Sequence, residues 1–507
     1  MKRKVFLCFL AIVFCSVSLI AAQVTAAKNF GYGYGRQAHR LPSNGQIYHW
    51  IKDLWRIGKL SPIGFRYSGT RADHIAARYI SRHFRAFGLK DVQLYPVNFP
   101  FWKARRWNLK VSANGTTVRI PCSYRPYTQF TSREGLTAEM VYVGTGMDPD
   151  SFADVEGKIV LVDLIAPGLT YDGVFEPLSL FTYDPDDTLP GAKVTQNWPV
   201  FNILSSYQMA VENGAVGFIG ILGFDLADTD EYFSPYNAVL GEIPGVYVSK
   251  SEGDYLKELL EENDYVDANI VLRGKAKEGL TYNVIGWIPG ESDEVILVTS
   301  HYDGWAVNDA SGTSIVMALA KYFGQFRTPV TKRSLLFIAS AGHFIGDIPT
   351  RTFIEENPDL VSRIVVDLNV EHIAKEIVGK DGMLVPTGLV APRAFFISGP
   401  SKGGNPYLTQ IASDAVERYR LKRTVAVPAD LLGPHPPGIA HWYHQAGVPV
   451  LDFISGPAIM FTPMDKPNKV AVSQLRPVTA AFIKMIKDLD DIPADWLKGE
   501  GPSEESE

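Results

Sequence analysis

An α/β fold with a mainly parallel mixed sheet flanked by helices is what this sequence predicts, and two observations carry that expectation. From Thr281 onward, segments of strand and helix character alternate: "YNVIGWIP", "EVILVTS", a helical stretch around "SIVMALAKYF", "RSLLFIASA", a second around "TRTFIEEN", then "RIVVDLNVEHI". Strand, crossover helix and parallel strand give this alternation when helices cover both faces of a sheet. The strand segments are also apolar runs, as strands buried on both faces must be.

Composition limits the rest of the chain. With 507 residues and 46% hydrophobic side chains, it can bury large cores in two or three domains. A formal net charge of -6 supplies no broad cationic field, which argues against nucleic acid or an anionic membrane surface as partner. Small molecules, peptides and proteins remain. Lys2, Arg3 and Lys4 precede an apolar run from Val5 to Ala22, and "AAQVTAA" follows, so residues 1–26 read as a signal peptide cleaved after Ala26. Export to the periplasm or the exterior is the expectation. An uncleaved anchor is the alternative, because the run reaches the lower limit of a membrane span. Cys8 and Cys15 lie in this leader, so the mature chain keeps Cys122 alone and forms no internal disulfide.

Residues 27–130 form the lead-in to the larger domain, with amphipathic helices from Ile47 to Leu89 around "RYSGTRAD" and paired strands from Val92 to Val118. Over residues 131–278 the texture changes. Short strands such as "AEMVYVGTG", "GKIVLVDL", "VGFIGIL", "IPGVYVS" and "ANIVLRG" alternate with helical "SSYQMAVENGA" and "SEGDYLKELLEEN", giving a self-contained, strand-rich insertion. The main domain spans 279–492, and the acidic, apolar-poor tail, 493–507, is expected to be disordered.

The chemistry concentrates where "VILVTS" ends. His301 and Asp303 sit just beyond that strand, where an open parallel sheet lines its ligand crevice. His-x-Asp is a natural metal unit, the imidazole binding the ion and the carboxylate orienting the ring. Asp309 starts a turn into the helix that carries Ile315, Ala318, Leu319, Tyr322 and Phe323. Taken alone, this cluster also fits a helix N-cap, with Asp309 or Ser311 accepting backbone N–H bonds and His301 a satisfied core histidine. "GPHPPGIAHWYHQAGVPV" adds His435, His441 and His444 before a buried strand; they are candidates for substrate contact, or packing and surface residues at helical spacing.

"YNVIGWIPG", "EVILVTSHYDG" and "NDASG", in that order, resemble the di-zinc exopeptidase family of bacterial zinc aminopeptidases, glutamate carboxypeptidase II and the transferrin receptor ectodomain. "VEGKIVLVDL", "MAVENGAVGFIGI" and "IPGVYVSKSEGDYLKEL" resemble that family's protease-associated insertion. The resemblance implies a zinc exopeptidase fold binding one or two zinc ions, with a peptide or protein as substrate. It carries over unevenly. His301 matches the first metal ligand and Asp303 the aspartate after it, whereas the bridging aspartate falls on Asn308, with Asp309 one position later. The Glu-Glu pair falls on Gly342 and His343, so the general base is absent and His343 stands at the ligand half. The next aspartate falls on Asn369, from which strand alternation lets Glu371 reach the crevice and turns His372 away; the last histidine falls on Phe461, with Asp465 a substrate-side candidate nearby.

Two functions follow. One is an exported metallo-exopeptidase with a rebuilt site: His301, Asp309, Glu371 and His343 as metal ligands, and Asp303 and His343 as the catalytic candidates. The other is a catalytically inactive peptidase fold that serves as a binding or scaffold module.

Overall fold

The computed structural model describes residues 41–164, 169–194, 200–223, 237–380, 383–399 and 404–499. The signal peptide expected at 1–26 lies outside these residues. Among the described residues, no helix is long and apolar enough to cross a membrane. Pro42–Glu507 forms one compact unit.

At the centre, the strand Ser292–His301 pairs in parallel with Arg333–Ser340 on one side and Ile364–Val370 on the other. Val450–Ile454 pairs in parallel with Ile364–Val370. Antiparallel neighbours bound this block: Asp267–Ile288 against Arg333–Ser340, and Arg393–Ile397 against Val450–Ile454. The sheet is therefore mixed with a parallel centre, as the alternation of segments predicts. From Val295 to His301 every residue is buried, because helices cover both faces. One of them, Gly312–Gly324, is buried around almost its whole circumference and sets the crevice's depth.

The lead-in helices form where expected. Asn44–Gly58 is capped by Ser43, whose hydroxyl accepts from the Gln46 amide, and Arg71–Phe87 by Thr70, which accepts from the Asp73 amide. Between the helices and the sheet run two very long strands, Lys90–Ala113 and Asp267–Ile288, paired antiparallel. The expected boundary at 278/279 falls inside the second of them. Its polar stretch around Lys275, Lys277 and Glu278 reads like a linker because the ribbon is exposed there, while hydrogen bonds to residues 99–103 keep it extended.

Residues 136–270 hold a parallel set, Ile159–Leu164, Gly217–Leu222 and Gly245–Val248, joined to the main sheet where Leu136–Tyr142 pairs with Asp267–Ile288. This stretch is less self-contained than its sequence suggests. Between Ile159–Leu164 and the helix Val200–Glu212, an arm crosses to the far edge of the main sheet, and its strand Phe181–Tyr183 pairs antiparallel with Thr424–Pro428. The reason is apolar burial: Tyr171, Phe175, Leu189 and Val194 share one core cluster with Ala394, Phe396, Val425 and Ile454. The tail also differs from expectation, since Ala494–Leu497 is helical. Asn405 Nδ2 donates to the carbonyls of Trp496 (2.8 Å) and Leu497 (2.9 Å), and the Trp496 ring stacks on Tyr407.

Candidate metal centre

His301 arrives at the carboxyl end of its strand, opposite Ser340. Its Nδ1 lies 3.1 Å from both the backbone carbonyl and the carboxylate of Asp303, which fixes the ring and leaves Nε2 as the free nitrogen. That Nε2 is buried without a hydrogen-bond partner, 3.6 Å from Asp309 Oδ2 and 3.8 Å from Glu371 Oε2. Asp303 Oδ2 accepts from the Phe344 amide at 3.3 Å. Asp303 thus stands behind the imidazole, as an orienting group away from the carboxylates in front.

Asp309 combines both roles that its sequence context offers. Its Oδ1 accepts from the Gly312 amide at 2.9 Å, as a helix cap would, while Oδ2 accepts from Ser300 Oγ at 3.2 Å and faces His301. The Asn308–Asp309 peptide is cis. Asp465 does not face a substrate space: it is fully buried, and its carboxylate accepts from the amides of Val307 (2.7 Å) and Asn308 (2.8 Å), pinning the turn.

Glu371 follows directly on the strand Ile364–Val370. Its Oε1 accepts from Asn369 Nδ2 at 3.0 Å and from the Ile439 amide at 3.3 Å, whereas Oε2 has no hydrogen-bond partner. Gly438, at φ +69, presses the next loop onto this carboxylate; a Cβ there would lie 2.6 Å from Oε1. Asn369 itself sits behind Glu371 and also donates to Asp452 Oδ1 at 2.8 Å, so the position matched to a metal ligand acts as a prop.

His372 corrects the expectation from strand alternation. The strand has ended at Val370, and His372 adopts φ +56, which turns its ring into the site instead of away from it. His372 Nδ1 donates to the Ser455 carbonyl at 2.9 Å, so Nε2 accepts from Asn308 Nδ2 at 2.9 Å. His301, Asp309, Glu371 and His372 each offer a ligand atom within 4.8 Å of the others. His343 is outside that group; its ring stacks on His301 at 4.3 Å between centroids, and its Nδ1 lies 3.4 Å from Asp347 Oδ1.

The donor set fits a zinc ion: one imidazole nitrogen and two carboxylate oxygens converge, and two of these buried atoms lack any other partner. Charge distribution agrees. Burial pulls the His301 imidazole down, but the Asp303 hydrogen bond and the charges of Asp309, Glu371 and Asp303 outweigh it and raise it to about 10. Glu371 is held below its ordinary value because His301, His372 and His343 overcome burial, whereas Asp309 is raised to about 7, chiefly by burial. The site therefore calls for a positive charge between its carboxylates, which a proton on His301 or a divalent ion supplies.

Beneath it lie further buried acids. Asp367 Oδ1 accepts from Thr299 Oγ1 at 2.8 Å while Oδ2 has no hydrogen-bond partner, and burial raises the carboxyl to about 8 from 3.8. Between those values the folded protein keeps a proton that the unfolded chain releases, so stability falls as pH rises through that window. Asp367→Asn should therefore flatten the fall in melting temperature between about pH 5 and pH 8 and make the variant the more stable protein at pH 8. An unchanged slope in thermal unfolding would contradict this assignment.

Beside Glu371 opens a cavity of about 260 Å³ that His343, His372 and His435 also line. His441 and His444 lie outside it: His441 stands 4.4 Å from His435 between ring centroids, and His444 Nδ1 is 2.8 Å from Ser398 Oγ. Sequence reasoning missed Arg66 and Asp73. The fully buried Arg66 donates through Nε to the Tyr302 carbonyl at 2.6 Å, and Asp73 Oδ1 accepts from the Tyr302 hydroxyl at 2.7 Å, so the lead-in grips the residue after His301 from two sides. The available signal was two charged residues bracketing the glycine turn of "RYSGTRAD".

Residues 283–382, which carry His301, Asp309, His343 and Glu371, match the family model of Peptidase family M28. Comparison with curated protein sequences gives no match. Among solved structures, the chain is similar to BSAP, a zinc aminopeptidase from Bacillus subtilis, at 20% identity and TM-score 0.60, covering 90% of this chain and 98% of that one. It is also similar to the aminopeptidase from Aneurinibacillus sp. strain AM-1 (20% identity, TM-score 0.57, 89% and 94% covered). A Peptidase M28 precursor from Shewanella amazonensis SB2B aligns at 17% identity and TM-score 0.64, with 89% and 96% covered. Likeness at these identities establishes the shared fold. Together with the family segment, it bears out the resemblance to the di-zinc exopeptidase family and the α/β fold class that it implied.

Proposed function

We propose that this chain is an exported zinc-dependent exopeptidase of aminopeptidase type, with a rebuilt site in which His301, Asp309 and Glu371 hold a single ion. The observation that carries this reading is the convergence of two buried, unpartnered atoms, His301 Nε2 and Glu371 Oε2, beside Asp309 Oδ2. Support comes from the M28 segment and from the zinc aminopeptidase whose fold the chain shares. One ion is favoured over two because Asn369 and Phe461 stand where the resemblance places further donors.

Bound zinc supplies a Lewis acid for a peptide carbonyl and makes water more acidic. The chain's own residues do the rest. Asp303 holds the His301 tautomer, and Asn369 and the Ile439 amide hold Glu371. His343 lines the cavity with Nδ1 beside Asp347, which leaves its other nitrogen as proton acceptor in place of a glutamate. Hydrolysis breaks the amide C–N bond and forms a C–O bond from water, while His343 passes the water proton to the leaving amine. Export rests on the leader, and a protease-associated role for 131–278 on its sequence pattern, with strands Ile159–Leu164, Gly217–Leu222 and Gly245–Val248 in keeping with it.

The test is hydrolysis of aminoacyl arylamides by the purified protein, with and without a chelator. Activity that chelation abolishes and zinc restores is the expected result. A zinc-loaded protein that cleaves none of them would make it a non-catalytic binding module instead.

A further inference from the structure

We infer that the outward face of the ribbon built from Lys90–Ala113, Thr116–Ile120 and Asp267–Ile288 is a docking surface for a bilayer that carries anionic lipid headgroups. The sequence segregates its charges here: Val92 to Ile120 and Ala268 to Lys277 contain lysine and arginine but no aspartate or glutamate. Strand register then brings the cations together. Arg106 lies directly opposite Arg273, Lys110 opposite Arg119, and Lys103 opposite Lys275. Opposed residues of an antiparallel pair share a face, and alternation along Asp267–Ile288 puts Lys277 on the same one. Arg106, Lys110, Arg119, Arg273, Lys275 and Lys277 are all exposed, while Leu109, Ile270 and Leu272, which alternate with them, are buried in the core.

Like charges set opposite one another weaken a strand pair, so folding gives no reason for this arrangement. Nothing within the chain relieves it either. Among the described residues, none of these six exposed cations makes an ion pair, whereas in the neighbouring insertion Lys158 pairs with Glu139 at 3.4 Å and Lys257 with Asp254 at 3.0 Å. Asp267 and Glu139, paired across their strands, border the face at one end without interrupting it. From the Lys110 row to Lys277 the strip spans about 26 Å, at about 3.3 Å per residue. The formal net charge of -6 averages this strip away. An extended sheet face is complementary to an array of lipid phosphates, and each cation at such a surface strengthens partition about 5-fold. Nucleic acid fits less well, because bases need aromatic rings to stack on. The ring at the Lys277 position, Phe101, is 8% exposed and lies beneath the Lys277 ammonium, 5.7 Å from it.

The experiment is co-sedimentation of the purified full chain with vesicles of phosphatidylcholine alone and of phosphatidylcholine mixed equally with phosphatidylglycerol. Binding should require phosphatidylglycerol and disappear toward about 1 M salt, where charges are screened within about 3 Å. Arg106→Gln combined with Arg273→Gln should weaken it ~25-fold, two cations at about 5-fold each. The same double variant should melt no lower than wild type, since a repulsive pair is removed, and this separates lost binding from lost fold. Lys158→Gln with Lys257→Gln, an equal change of charge away from the face, should leave binding unchanged. Equal binding to both kinds of vesicle would assign it to the apolar leader and overturn the proposal. An equal loss in the two double variants would overturn it too, by tracing binding to net charge. Retention of a single-stranded DNA oligonucleotide without binding to either vesicle would give the face to nucleic acid instead.

Discussion

Replacing His301 with alanine abolishes zinc binding and, with it, chelator-sensitive hydrolysis. The expectation follows from geometry: His301 Nε2 lies 3.6 and 3.8 Å from Asp309 and Glu371 and has no hydrogen-bond partner. His372 is no ready substitute, because Asn308 occupies its Nε2. Removing Asp303 should be milder, about 10–100-fold in zinc affinity, since it orients a ligand without being one. Competition against a zinc chelator measures both variants. The same experiment distinguishes metal from a proton. If His301 is simply an imidazolium between two carboxylates, a chelator leaves the wild-type melting temperature unchanged, whereas zinc held by the folded state stabilises it in proportion to ligand concentration over affinity.

Restoring glutamate at position 342 produces a less stable protein and no better peptidase. Gly342 has φ +92, a region costly for any side chain, and a Cβ there would lie 2.8 Å from Pro349 Cγ and 3.2 Å from Ile345 Cγ1. The loop that follows the strand Arg333–Ser340 is thus shaped around a missing side chain, and the proline ring fills the space. Gly342→Glu should cost about 2–4 kcal/mol in urea unfolding. A variant as stable as wild type with hydrolysis raised tenfold would show that the loop can host the family's base and that His343 is not its replacement.

Some of this was legible in the sequence, and the reasons for success and failure differ by residue. The strand ending in His301 could be read because an apolar run stopping at His, Asp and a small-residue turn has few structural meanings. Glu371 was reachable through strand alternation, but His372 was not, since a left-handed φ at a strand's end is invisible to a two-residue period. Asn369 resembled a lost ligand because sequence register places a residue only to within a position or two; in three dimensions it braces Glu371. The crossing arm left no trace, for its pairing with Thr424–Pro428 joins segments more than two hundred residues apart. Nor did the linker-like polarity of Lys275 to Glu278 reveal a continuous strand, because exposure and disorder select the same residues.

The most direct measurement is the zinc content of the purified full chain, by elemental analysis after dialysis against excess zinc and then metal-free buffer. One equivalent per chain, lost in His301→Ala and retained in His441→Ala, is the expected result. Two equivalents, none, or one that survives in His301→Ala would contradict a single-ion centre at His301, Asp309 and Glu371.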